Sequence, residues 1–105
     1  MKPVRLRPRA REDRRSEVRW YRGQGGPKVA LRLVTALDHA LDTISRHPGI
    51  GSPVLGEQLG VEGMRTWLID GFPLVFWYFE RETHVEIARL VGQRQDAFGI
   101  DPNQP

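Results

Sequence analysis

The sequence contains no cysteine. That excludes a disulfide framework, a zinc ribbon, an iron–sulfur centre and a thiol nucleophile. Long apolar runs are also missing: the richest, Leu74 to Phe79, is six residues, whereas a membrane-spanning helix needs about 20. The N-terminus is basic, but no apolar run with a small-residue cleavage site follows it. A secretory signal is therefore not expected, and the cytoplasm is the expected location. Internal repeats and low-complexity tracts are absent as well. What is present is a chain of 105 residues, 39% of them hydrophobic. That predicts one domain with a core of its own over residues 1–98, and a frayed tail over 99–105.

The charge is mild in total and uneven in placement. The formal net charge is +3. Residues 1–22 hold nine basic residues against Glu12, Asp13 and Glu17, a net +6, which leaves −3 for the remainder. A basic end on a weakly acidic body points to a polyanionic or acidic partner.

Periodicity supplies the elements. Val4 and Leu6 alternate with Arg5 and Arg7, which predicts a short first strand flanked by Pro3 and Pro8. Arg9 to about Arg22 reads as a helix with a sparse stripe of Ala10, Val18 and Tyr21, ended by Gly23, Gly25 and Gly26. Pro27 opens a second helix, in which Ala30, Leu33, Val34, Leu37, Ala40, Leu41 and Ile44 recur at steps of three and four up to Arg46. Residues 48–62, rich in Gly and Pro, read as a connection. Three strands follow: Met64 to Ile69, the continuously apolar Leu74 to Phe79, and His84 to Val91, with Asp70-Gly71 as a turn. The expected fold class is α+β in the order β-α-α-β-β-β. A helical hairpin would pack on one face of a small, mostly antiparallel sheet.

Several constellations carry no chemistry. Gly49, Gly51 and Gly56 lack the Lys-Ser/Thr of a phosphate-binding loop and follow a helix rather than a strand. His39 and Asp42 lie one turn apart on a mixed-charge helix surface, which reads as solvated rather than metal-binding. Ser16, Ser45 and Ser52 lack a nucleophile elbow, and His47 and His84 lack an orienting acid beside them. No metal and no cofactor is expected. Arg65, Arg81, Arg89 and Arg94 are a candidate basic surface on or beside the sheet, with Trp67 available for stacking.

Three stretches carry a family likeness: Ala36 to Ile44 with His47-Pro48-Gly49-Ile50-Gly51, Gly63 to Tyr78, and Val85 to Asp96. Over residues 4–96 the chain resembles the RelE/ParE superfamily of toxins from type II toxin–antitoxin systems. The resemblance implies one of two activities. RelE-like members are ribosome-dependent messenger-RNA endonucleases; ParE-like members poison DNA gyrase. RelE-type cleavage needs a proton acceptor and clustered positive charge in one cleft. Arg65 and Arg94 match basic positions of that pattern. However, Trp67 stands at the next one, Pro73 replaces the usual arginine after the turn, and Phe98 or Ile100 replaces the C-terminal tyrosine. The ending Arg94-Gln95-Asp96 is closer to the ParE type. The preferred expectation is a non-catalytic ParE-like toxin that uses Arg65, Trp67 and Arg94 against its target. The alternatives are a RelE-like nuclease using Arg65 and Arg94, or a member that only binds its antitoxin. The resemblance also implies a hetero-oligomer with an acidic, ParD-like antitoxin, expected to meet Arg11, Arg14, Arg15 and Arg19.

Overall fold

A computed structural model describes residues 1–93 and 95–105. Strand β1 (Val4–Leu6) leads into a helical run α1 (Pro8–Arg46), with Pro8 in the first turn, where its missing N–H costs nothing. The run doubles back at Gly26. Arg14 Nη2 donates to Asp38 Oδ1 at 2.8 Å, although 24 residues of straight helix would span about 36 Å. Gly26 sits at φ 84° and ψ −178°, a region open essentially only to glycine. The following Pro27 disfavours helical geometry at that position. Gly23 and Gly25, expected to end the first helix, stay within the helical run. A helical glycine loses only about 1 kcal/mol relative to alanine and clashes with nothing. The expected helical hairpin is thus present, with its turn reduced to one residue.

Strands β2 (Met64–Leu68), β3 (Leu74–Glu80) and β4 (Val85–Gly92) complete a sheet of order β1-β4-β3-β2. β1 runs parallel to β4, and the other two pairings are antiparallel. Leu33, Leu37, Ala40 and Ile44 from the second limb of α1 bury against Leu74, Phe76 and Tyr78 of β3 and Ile87 and Leu90 of β4. The opposite face of the sheet buries Met64, Trp77, Phe79, Ala88 and Val91. β3 is therefore covered on both sides, which its unbroken apolar run requires.

The stretch 48–62 is more ordered than a connection. It contains a 3₁₀ turn at Pro48–Ile50 and a short helix α2 (Val54–Leu59). Six residues cannot sustain a helix alone; Leu55 and Leu59 hold it against the outer cluster of the sheet. Such packing is tertiary and leaves no periodic signal in so short a window. At the other end, Ala97 and Ile100 pack on the same cluster, and Arg7 Nη1 donates to the carbonyl of Pro102 at 2.9 Å. The tail expected to fray over 99–105 thus carries contacts to the sheet face and to Arg7.

A β-bulge shapes the far strand. Trp77 pairs with Arg89 and Tyr78 with Ile87, so Ala88 is the extra residue. Alternation breaks there, and Arg89 and Leu90 both turn to the hairpin side. Arg89, only 4% exposed, donates from Nε to Asp13 Oδ2 at 2.8 Å and from Nη2 to Asp13 Oδ1 at 3.3 Å. The Leu90 backbone N–H donates to the same carboxylate at 3.1 Å. β1 pairs only with residues 85–87, so Asp13 satisfies an edge group that no strand reaches. Arg9 Nε stands 3.4 Å from Asp13 Oδ1, an ion pair without an aligned hydrogen bond.

Candidate functional site

The strand register sets the first candidate residues. Arg65 lies opposite Tyr78 and Trp67 opposite Phe76, so both point to the hairpin side of the sheet. Arg65 Nη1 donates to the carbonyl of Gly51 at 2.7 Å. The Tyr78 hydroxyl accepts from the Gly51 N–H at 2.9 Å and donates to the Pro48 carbonyl at 2.7 Å. Ser52 and Thr66 exchange backbone bonds at 3.0 and 2.9 Å, an isolated bridge on the edge of β2. Residues 48–52 are thus strapped to the sheet by one guanidinium, one phenol and one bridge. The approach is close: a Cβ on Gly51 would lie 2.6 Å from the Tyr78 hydroxyl and 2.8 Å from the Thr66 carbonyl.

These partners decide the chemistry. Burial pushes the Tyr78 phenol above its ordinary value, and the Gly51 N–H and the Arg65 charge offset that only in part. The phenol is protonated at neutral pH and engaged on both sides, so it does not serve as a proton acceptor. Tyr78→Phe is expected to cost about 1–3 kcal/mol, because the Pro48 carbonyl and the Gly51 N–H lose their partner. Urea denaturation measures the loss, and faster amide exchange at Gly51 would locate it. The sign for pH follows from a folded value above the unfolded one. This contribution is complete below pH 10 and is lost as pH rises through the raised value.

Of the other candidate arginines, the described ones, Arg81 and Arg89, do not join Arg65 in a basic surface. Arg89 is buried on Asp13. Arg81 is exposed, stands over the Phe79 ring at 4.7 Å and donates to Glu86 at 3.0 Å. Burial raises the Glu86 carboxyl, but bonds and charge from Arg7 and Arg81 outweigh it and hold the group below its ordinary value. Arg94 lies outside the described residues. Trp67 is half-buried against the hairpin cluster, which limits its use as a stacking platform.

Two surface features remain. A cleft runs between the second limb of α1 and the end of β2, past Ala36, His39, Thr43, Trp67 and Asp70. It continues beside Leu31 and Thr35. Leu31 is 66% exposed and Leu68 is 56% exposed. The sequence carries a signal for the first of these: Leu31 is an apolar residue off the buried 30-33-37-40-44 stripe. On the first limb, Arg11, Arg15 and Arg19 are exposed, while Arg14 is held by Asp38. Among the described residues, no group of three or more His, Asp or Glu is placed to hold a metal, and no helix is long and apolar enough to cross a membrane.

The sequence model described as the ParE toxin of the type II toxin–antitoxin system parDE matches residues 4–97. This chain belongs to the ParE toxin family. It is a toxin component of a type II system. Among solved structures, it is similar to one described as the chromosomal ParDE TA system from P. aeruginosa, with a TM-score of 0.74 and 20% identity. The match covers 88% of this chain and 96% of that one, and at this identity it shows a shared fold. No curated protein matches the sequence. In this ParE family member, the C-terminal aromatic Phe98 is 69% exposed and carries no hydroxyl.

Proposed function

We propose that this toxin arrests growth by binding DNA gyrase rather than by cleaving messenger RNA. The observation that supports this is the engagement of Arg65 and Tyr78. Catalysis of ribose attack needs a free proton acceptor beside a cation aimed at the phosphate. Here the phenol is engaged on both sides by the backbone of residues 48–51, and the guanidinium beside it is tethered through Nη1 to the Gly51 carbonyl. Trp67 and Arg94 complete the proposed target-binding set, in which contact rather than chemistry does the inhibition.

Neutralisation falls to an acidic antitoxin of the ParD type. The +6 of residues 1–22, including Arg11, Arg14, Arg15 and Arg19, would steer it during encounter. The cleft beside Leu31 and Leu68 offers it apolar area to bury. A supercoiling assay with purified toxin and gyrase is the direct test. Loss of supercoiling with trapped DNA breaks is expected. Full supercoiling at saturating toxin, together with cleavage of ribosome-bound messenger that Arg65→Ala abolishes, would reverse the assignment in favour of the nuclease.

A further inference from the structure

We infer that the outer face of the first α1 limb is a phosphate-binding ridge for duplex DNA, formed by Arg11, Arg15, Arg19 and Arg22. Steps of four, four and three place these residues on one helix face, along about 16 Å. All four are exposed. Among the described residues none of them is in an ion pair. The contrast within the same limb is sharp: Arg14 is held by Asp38, and Arg9 faces Glu12 and Asp13. Two of the limb's three acidic residues, Asp13 and Glu17, are buried. The outer face therefore shows almost undiluted positive charge. Lys28 and Arg32 on the second limb are also exposed.

The chemistry of the ridge favours a regular polyanion over a peptide. Of the side chains between the arginines, Glu12 and Ser16 are polar, Val18 turns into the hairpin core, and the Trp20 ring is 45% exposed. Among the described residues of this limb, an acidic peptide would find a single large apolar side chain, Trp20, to offset the cost of ordering it. DNA needs none, because neutralised phosphates release counterions. One strand carries a phosphate for each 3.4 Å of axis, so about five face a ridge of this length. The guanidinium forks suit phosphate oxygens. This inference does not depend on gyrase being the target.

The test is fluorescence anisotropy of a mixed-sequence duplex with antitoxin-free toxin between about 50 and 200 mM salt. Four phosphate contacts predict a slope of about −3.6 in log K against log salt. R11Q/R15Q/R19Q/R22Q is expected to abolish most of that slope and to weaken low-salt binding about tenfold or more. The same four positions changed to lysine should keep the slope, and each single glutamine should reduce it by about 1. Unchanged circular dichroism and melting are expected of all variants, since these side chains hold nothing in the fold. If the quadruple glutamine variant is unstable, R15Q and R19Q alone read the slope. Parent toxin that fails to bind the duplex at low salt overturns the inference. So does a glutamine variant with the parent slope, even if its association with an acidic peptide slows; the ridge would then steer proteins only.

Discussion

Asp13→Ala is expected to cost about 3–5 kcal/mol of folding stability. The reason is what it leaves behind. Arg89 stays 4% exposed with no carboxylate against its Nε and Nη2, and the Leu90 N–H loses its acceptor. A buried charge without a partner is far more costly than a buried pair is stabilising. Domains of this kind have about 5–15 kcal/mol in total, so the variant should melt much earlier, by about 4–8 °C for each kcal/mol lost. Replacing both partners separates charge from packing: Asp13→Ala with Arg89→Met should recover most of the loss, because the buried guanidinium leaves with its partner, and the Leu90 N–H without an acceptor accounts for the rest. Chemical denaturation of the single and double variants completes the cycle. If Asp13→Ala alone costs less than about 1 kcal/mol, the network is not what joins the first limb to β4.

Trp77→Ala should be comparably severe, at about 3–5 kcal/mol. Trp77 is 1% exposed and fills the outer face of the sheet with Met64, Phe79, Ala88 and Val91. The bulge places the small Ala88 in that cluster, beside the indole. Deleting the indole empties the layer on which α2 and Ile100 rest, and so short a helix has little else to keep it folded. The expected result is a large drop in the denaturation midpoint, with amides of residues 54–59 exchanging faster than those of the hairpin. Trp77→Phe, which keeps an aromatic ring, should cost much less. Uniform acceleration across the molecule instead would mean that α2 does not depend on Trp77 locally.

Both variants act on contacts that differ in how far the sequence discloses them. Burial of Trp77 follows from its place in the apolar run Leu74–Phe79, because six consecutive apolar residues need cover on both faces. The second helix is equally plain: of its apolar stripe Ala30, Leu33, Leu37, Ala40 and Ile44 are buried, and Val34 and Leu41 flank them half-buried. On the first limb the stripe of Ala10, Val18 and Tyr21 does pack on the hairpin core, but it is incomplete. Ala10 is buried, but so are Asp13 and Glu17, which composition alone would leave in water. The burial of Asp13 rests on a partner distant in sequence, Arg89 lying 76 residues away.

The candidate site divides in the same way. Local pattern determines that Arg65 and Trp67 share one face of a strand, because side chains alternate; the pairing with Tyr78 and Phe76 decides that it is the hairpin face. It also places Arg11, Arg15, Arg19 and Arg22 on one helix face, because spacing on a helix is fixed by 3.6 residues per turn. It does not determine that Arg65 and Tyr78 are spent on Gly51 and Pro48, which lie 14 to 30 residues earlier in the chain. Nor does it show that Arg89 is removed from the surface by a bulge. The absence of cysteine and of long apolar runs, together with the element order, already limits this chain to a small α+β domain. Which of its arginines remain exposed and unpaired is decided by tertiary structure alone, since a charge is neutralised by whatever the fold brings within a few ångströms, whatever the distance in sequence.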